Sequence, residues 1–468
     1  MRRSAATWRA ARGGPAGARC RRRRARSGTV LIVTMWIMMV VVAMVLVLAD
    51  SMRIEGDCSA NLAARQQAGA IEQAAIQYVL ANLDGLNGTL PDAEAMPCGG
   101  VQVGAGAFWI IRPDYEDGRE QVYGLVDEAS KVNLNTAGAA MLAALPEMTP
   151  EIAAALIDWR DPDGTLTEGG AEAEYYLLRA TPHDCKNAPL ETVAELLLVR
   201  DATTALLLGE DTNRNGTLDD NENDSDQTDP PDDRDGTLDL GLADLATVYS
   251  AEPNTDADGG QRTNVNQAST QQLRTALAKA VAENRLADVV NRARLGRPFQ
   301  NIMDFYFRTG LTIKEFRNLA DRITTATGET VRGLINIGTA PRAVLLCLPG
   351  LDEADVSALI TARSAEDADR TSIAWVAEAL TQEKAVGIGG LITVRSYQFS
   401  ANIVSVSGDG RAFRRCRIVV DATQSPPQVI YREDLTPLGW PLPQDVLDEL
   451  RGGTPVEDIV QQYDQEAF

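Results

Sequence analysis

"RRRRARSGTVLIVTMWIMMVVVAMVLVLAD", residues 21–50, sets the frame for the rest of the chain. The 21 residues from Thr29 to Ala49 carry no charge. As a helix rising ~1.5 Å per residue they reach roughly 30 Å, one hydrocarbon thickness. The arginines before them favour the cytoplasm, which sends Asp50 and the residues after it to the far side. A secretory signal peptide is the simpler alternative. Its apolar core is usually shorter and ends at a small-x-small cleavage site, of which "VLADSM" (47–52) is a poor example. Helical spacing persists beyond the apolar run. In "SANLAARQQAGAIEQAAIQYVLANL" (59–83), Ala64, Ala68, Ile71, Ala75, Tyr78 and Leu83 recur on one face. The expectation is one long helix, half in lipid and half amphipathic.

Charge is uneven along the 468 residues, a length that suits two or three domains. All ten basic residues before Thr29 are Arg, and no acid precedes it. Taking those ten from the 44 Lys and Arg leaves 34 against 66 Asp and Glu, a net charge of −32 from Thr29 onward. Such a body repels a phosphate backbone, where binding relies on Lys and Arg releasing counterions. Metal ions and protein surfaces are the partners it favours. The six cysteines (20, 58, 98, 185, 347, 416) form no CxxC pair, which argues against zinc knuckles and thioredoxin-like chemistry. His183 is the only histidine, and no GxSxG accompanies it, so it reads as an exposed loop residue and the chain as a non-enzyme. Glu172 and Glu174 are no catalytic pair, since i, i+2 positions on a helix point apart.

Strand-like runs come after the stem at "VQVGAGAFWII" (101–111) and "QVYGLVDE" (121–128), with "RPDYEDGRE" as the turn. They return at 392–408 and 411–422, joined by "GDG". Between them lies a mainly helical stretch. The fold class is therefore α+β: a long N-terminal helix packed on a small antiparallel sheet, interrupted by a large helical insert. The expected divisions are a basic leader (1–28), the transmembrane half of the stem helix (29–49), stem and first strands (50–129), insert (130–385), returning strands (386–422) and tail (423–468). The tail, rich in Pro and polar residues, reads as a linker with a short terminal helix.

The insert repeats itself. "KVNLNTAGAAMLAALPEMTPEIAAALIDWR" (131–160) aligns with "GLINIGTAPRAVLLCLPGLDEADVSALITAR" (333–363), and "TNVNQASTQQLRTAL" (263–277) repeats the N-x-N opening. Each unit reads as turn, helix, hairpin, helix, with Asn and Thr capping a helix start. The pattern resembles the helix-hairpin-helix module, which often binds DNA. Both hairpins, "LPEMTPE" and "LPGLDEAD", are acidic where a DNA binder needs Lys or Arg.

Within the insert, "DTNRNGTLDDNE" (211–222) has the spacing of a calcium loop. Asp211, Asn213, Asn215, Asp219 and Glu222 would offer side-chain oxygens, and Thr217 its carbonyl. Gly216 permits the sharp turn. "DRDGTLD" (233–239) copies the core of this loop, so Asp232, Asp233, Asp235 and Asp239 form a candidate second site or supply extra ligands to the first. Asp229 belongs to the same acidic run. Only Met303 lies beyond Pro150, so no Met-rich switch groove is available. The expected cofactor is a structural calcium ion.

These parts occur in an order that resembles the minor pseudopilin K family of type II secretion. "VDEASKVNLNTA", "LIDWRDPDG", "GAEAEYYL", "NAPLETVAELLLV", the "INIGTA…LPG" repeat and "VRSYQFSANIVSVSGDGRAFRRCRIVV" carry the similarity, from about Gly28 to Ala422. Arg residues, then Gly28, then an apolar helix look like a prepilin, and Val33 stands where most prepilins carry Glu, as in this subfamily. The resemblance implies cleavage between Gly28 and Thr29 by a prepilin peptidase. It implies an inner-membrane, single-pass protein with a cytoplasmic N-terminus and a periplasmic body. It also implies a structural role at the tip of the secretion pseudopilus, beside the minor pseudopilins of I and J type. Secreted protein cargo is a further candidate partner, and nucleic acid is not. The alternative is a membrane-anchored helix-hairpin-helix receptor for DNA uptake.

Overall fold

The computed structural model describes residues 27–91, 95–115, 118–225, 227–228, 230–365 and 370–466. Most of the expected leader lies outside these residues. The chain divides into two units, Met1–Leu62 and Ala63–Phe468. Helix α1 (Ser27–Leu83) begins in the first. Its side chains from Gly28 to Ser59 are all exposed, including the whole apolar run. Burial is worth about 25 cal/mol per Å² of apolar surface, so such a helix needs a solvent other than water. It is long and apolar enough to cross a membrane.

In the second unit, α1 buries the stripe its spacing predicts: Ala64, Ala68, Ile71, Ala75 and Leu83, joined by Ile76 and Val79. Tyr78 is half-buried and meets Phe108 edge-on at 5.4 Å. The stripe packs on a seven-stranded antiparallel sheet. Its strands are β1 (Val101–Val103), β2 (Gly106–Arg112), β3 (Val122–Tyr123), β4 (Val126–Asp127), β5 (Gln398–Val406), β6 (Phe413–Asp421) and β7 (Gln428–Asp434). The order is β1-β2-β5-β6-β7, with β3 on β2 and β4 on β5. Strand alternation sorts the faces. Phe108, Ile110, Phe399, Ala401, Ile403, Cys416, Ile418 and Val420 share a core with α1. Trp109, Ile111, Val404 and Val406 point the other way.

That second face needs its own cover, and the tail provides part of it. The expected linker is instead β7 followed by helices Gln444–Gly452 and Val456–Glu466. Val446, Leu447, Leu450, Val456 and Ile459 pack on Trp109 and Val404. Their i, i+1, i+4 and i, i+3 spacing is an apolar helix face that the Pro-rich opening of the tail concealed.

Each N-x-N opening of the insert forms a two-residue strand, and each finds a parallel partner far along the chain. Val132–Asn133 pairs with Ala246–Thr247, Thr263–Asn264 with Ile323–Thr324, and Ile335–Asn336 with Ile392–Thr393. Two helices follow every opening: Ala139–Leu142 and Pro150–Arg160, Thr270–Leu277 and Glu283–Leu295, Arg342–Leu346 and Glu353–Ser364. The opening Asn residues do not cap these helices. Asn133, Asn264 and Asn336 each accept an N–H two residues on, forming a turn before the helix. Arg160 donates to the carbonyls of Leu134 and Ala137, and Arg363 to those of Ile337 and Ala340. The same arginine thus staples the same turn in two units. The first and third units share one core, whereas the middle unit has its own, around Leu273, Val289 and Phe305. His183 is half-buried rather than exposed, packed on Trp159 and Tyr176. Glu172 is buried just before the helix Ala173–Leu177, while Glu174 is exposed. Among the described residues the five cysteines are unbridged.

Candidate metal loop

The helix Thr204–Leu208 ends at Gly209, and Glu210 then pairs its N–H with the carbonyl of Asp239 at 2.9 Å. The chain enters the 211–222 loop from that anchor. Asp211, Asn215 and Glu222 are buried, and Asn213, Thr217 and Asp219 are half-buried. The Asp211 carboxylate accepts the N–H groups of Asn215 and Gly216, each at 2.9 Å. Asn213 Oδ1 accepts the Asn215 N–H at 2.9 Å, and Asn215 Oδ1 accepts the Thr217 N–H at 2.8 Å. The amide groups of Asn213 and Asn215 both donate to Asp219 Oδ2, at 2.6 and 2.9 Å. Glu222 closes the loop by accepting the Asp219 N–H at 3.1 Å, and its other oxygen is buried without a partner.

Electrostatics follow from this packing. Burial pushes the Asp211 carboxyl up to about 7, and the nearby charge of Asp244 adds to the effect. Burial likewise pushes Glu222 up to about 8, aided by Asp211 and Asp219. A buried carboxylate is costly unless a cation or donors compensate it. The orphaned Glu222 oxygen and its crowded acidic neighbours fit a hard divalent cation. The donor set is mixed Asp, Asn and Glu. Among the described residues no group of three or more His, Cys, Asp or Glu side chains is placed to hold a metal.

What fixes the loop was not foreseen from the sequence. Arg415 of β6 is buried, and its guanidinium donates to the carbonyls of Asn213, at 2.7 Å, and Arg214. Its Nε donates to Asn402 Oδ1 at 3.2 Å, and the Asn402 amide also reaches the Arg214 carbonyl at 3.2 Å. Arg214 in turn pairs with Glu433 of β7 at 3.0 Å. Burial pulls Arg415 down to about 10. The available signal was "RRCR" (414–417): alternation puts Arg415 and Arg417 on the sheet face opposite Cys416, and a strand inside a sheet hides few charges without a task. Gly216 adopts φ 77°, and a Cβ there would lie 2.7 Å from Pro113 Cα. The loop also pairs with the turn after β2, through Asp114 N–H to the Gly216 carbonyl and Leu218 N–H to the Gly118 carbonyl.

The second acidic run is held differently. Asp232 accepts the N–H groups of Asp224, Ser225 and Arg234. Asp233 accepts that of Asp235, and Asp235 that of Thr237. The Thr237 contacts hold Asp235 below the usual carboxylate range. Asp233, Asp235 and Asp239 are exposed, and Asp229 lies outside the described residues. Gly28 and Thr29 lie in the first turn of α1, exposed.

No curated protein matches the chain. One similar solved structure is a chain from the crystal structure of the GspK-GspI-GspJ complex of the enterotoxigenic Escherichia coli type 2 secretion system. It is 14% identical, covers 82% of this chain and 98% of that chain, and has a TM-score of 0.35. A family model described as type II secretion system (T2SS), protein K, matches residues 123–208, which hold β4, the first repeat unit's opening and both its helices. Residues 123–208 are thus similar to protein K of the type II secretion system.

Proposed function

We propose that the chain is a minor pseudopilin at the tip of a type II secretion pseudopilus, a structural subunit that helps export folded proteins across the outer membrane. The protein K match over residues 123–208 carries this reading. The apolar α1 and the antiparallel sheet on which its second half packs support it. In this role the helix anchors the protein once in the inner membrane, N-terminus inside and body in the periplasm. A prepilin peptidase cuts between Gly28 and Thr29, and minor pseudopilins of I and J type are the neighbours. The chain is no enzyme, and its repeated units serve as helix-hairpin-helix scaffolding.

Asp211, Asn213, Asn215, Asp219 and Glu222, with the Thr217 carbonyl, would hold a calcium ion. The ion would neutralise the buried carboxylates. Arg415 and Asn402 hold the loop backbone from the sheet side, so order in the loop passes to β5 and β6. The same grip ties the insert to the sheet.

Intact mass of the membrane-bound protein, from cells with and without a prepilin peptidase, tests the assignment. A peptidase-dependent chain starting at Thr29 is the expected result. A start near Ser51, or an uncut chain in both strains, would remove the pseudopilin assignment.

A further inference from the structure

The middle repeat unit reverses the charge of the molecule. Residues 270–322 hold ten Lys and Arg against five Asp and Glu, a net charge of +5, which leaves −37 for the rest of the chain from Thr29. Several of these cations are used inside the unit or against its neighbours. Arg285 pairs with Glu315, Arg308 with Asp304, and Arg322 with Asp256 and Asp258. Arg274, Lys279, Arg294 and Lys314 are exposed and have no ion-pair partner among the described residues. Gathering unpaired like charges costs self-repulsion, and the unit's separate apolar core does not require them.

Two of the four share a groove of about 220 Å³ between helices Thr270–Leu277 and Glu283–Leu295. Leu286 and Val290 form its floor, and Arg274 and Arg294 stand on its rim. Arg294 donates a long hydrogen bond to the Asn291 side chain, at 3.4 Å. Leu295, next in the chain, is 71% exposed. An apolar floor beside two guanidinium groups fits a carboxylate side chain next to an apolar one, because a guanidinium offers a planar fork to carboxylate oxygens. We infer that this groove docks a short acidic, amphipathic segment of a partner protein. Nucleic acid suits it poorly. A duplex carries one charge per about 1.7 Å of axis, so its flanks would meet the acidic remainder of the body. A short segment engages the cationic island alone.

The test uses the full-length chain in zwitterionic detergent. A fluorescein-labelled Glu/Leu peptide is titrated against it, beside a Lys/Leu peptide, duplex DNA and phosphatidylserine vesicles. The Glu/Leu peptide binds, with affinity falling roughly tenfold as salt rises from low to several tenths molar. Arg274→Glu with Arg294→Glu weakens it by at least about tenfold, Arg294→Gln by less, and Arg342→Glu in the third unit has no effect. Both substituted arginines are exposed in the last turns of their helices, so melting temperatures fall by no more than a few degrees. Equal binding of the Lys/Leu peptide, insensitivity to the paired Glu substitutions, or tighter binding of DNA or vesicles would each overturn the inference.

Discussion

The loop 211–222 and the run 232–239 share the core N/D-R-N/D-G-T-L-D, yet they occupy different surroundings. In the first, Asp211 and Glu222 are buried and Arg415 grips the backbone from beneath. In the second, Asp233 and Asp235 are exposed and satisfied by their own local N–H groups. Their proton affinities diverge accordingly: up for Asp211 and Glu222, down for Asp235. Both carry a left-handed Arg, Arg214 at φ 58° just before Asn215 and Arg234 at φ 58° just before Asp235. Identical turn chemistry therefore leaves open what a loop does. Burial is what turns a run of oxygens into a demand for a cation.

The sharpest break in the comparison is Arg415→Leu. It strands the carbonyls of Asn213 and Arg214 under the sheet, and the expected loss is about 3 kcal/mol in a denaturant titration. A loss below about 1 kcal/mol would mean that the loop is held from elsewhere. Calcium comes next. At a hundredfold excess over its dissociation constant it should stabilise the body by about 2.7 kcal/mol over chelator, and Glu222→Gln should abolish most of that gain. No calcium-dependent change in melting of the unsubstituted protein ends the metal proposal.

Gly216→Ala should cost about 1–3 kcal/mol, from its positive φ and the approach of Pro113. The matching Gly236→Ala shares the positive φ, at 80°, but its Cβ meets only the Arg119 guanidinium, at 3.2 Å, rather than backbone, so it should cost less. Equal costs would dissolve the contrast between the loops. In chelator, pH should act in a definite direction. Carboxyls raised from ordinary values near 4 to about 7 and about 8 contribute stability that is full at low pH, falls progressively as pH rises above about 4, and is gone by about 8. Calcium should flatten this slope, and melting curves at several pH values in both conditions would show it. The smallest effect belongs to the second run: Asp233→Asn with Asp235→Asn should leave the calcium-dependent melting shift unchanged.

Much of this architecture was legible in sequence because it rests on local periodicity. The α1 stripe, the strand alternation at 101–111 and 411–422, and the glycine turn of the loop each come from spacing within a few residues. The three unit openings were legible too. Their partners at 246–247, 323–324 and 392–393 were not, because a two-residue strand has no period and its partner lies between 57 and 114 positions along the chain. The tail misled for a related reason. Its prolines suit a linker, and nothing local shows that a bare sheet face waits for Val446 and Leu450.

The apolar helix, the segregation of charge and the order of oxygen-bearing residues in the loop are written in the amino-acid order, since each is a property of neighbouring residues. Folding in three dimensions was needed to put Arg415 beneath the loop, to leave Glu222 dry and to give the middle unit its own core. Desolvation and long-range packing depend on which distant segments come together, and no local pattern encodes that.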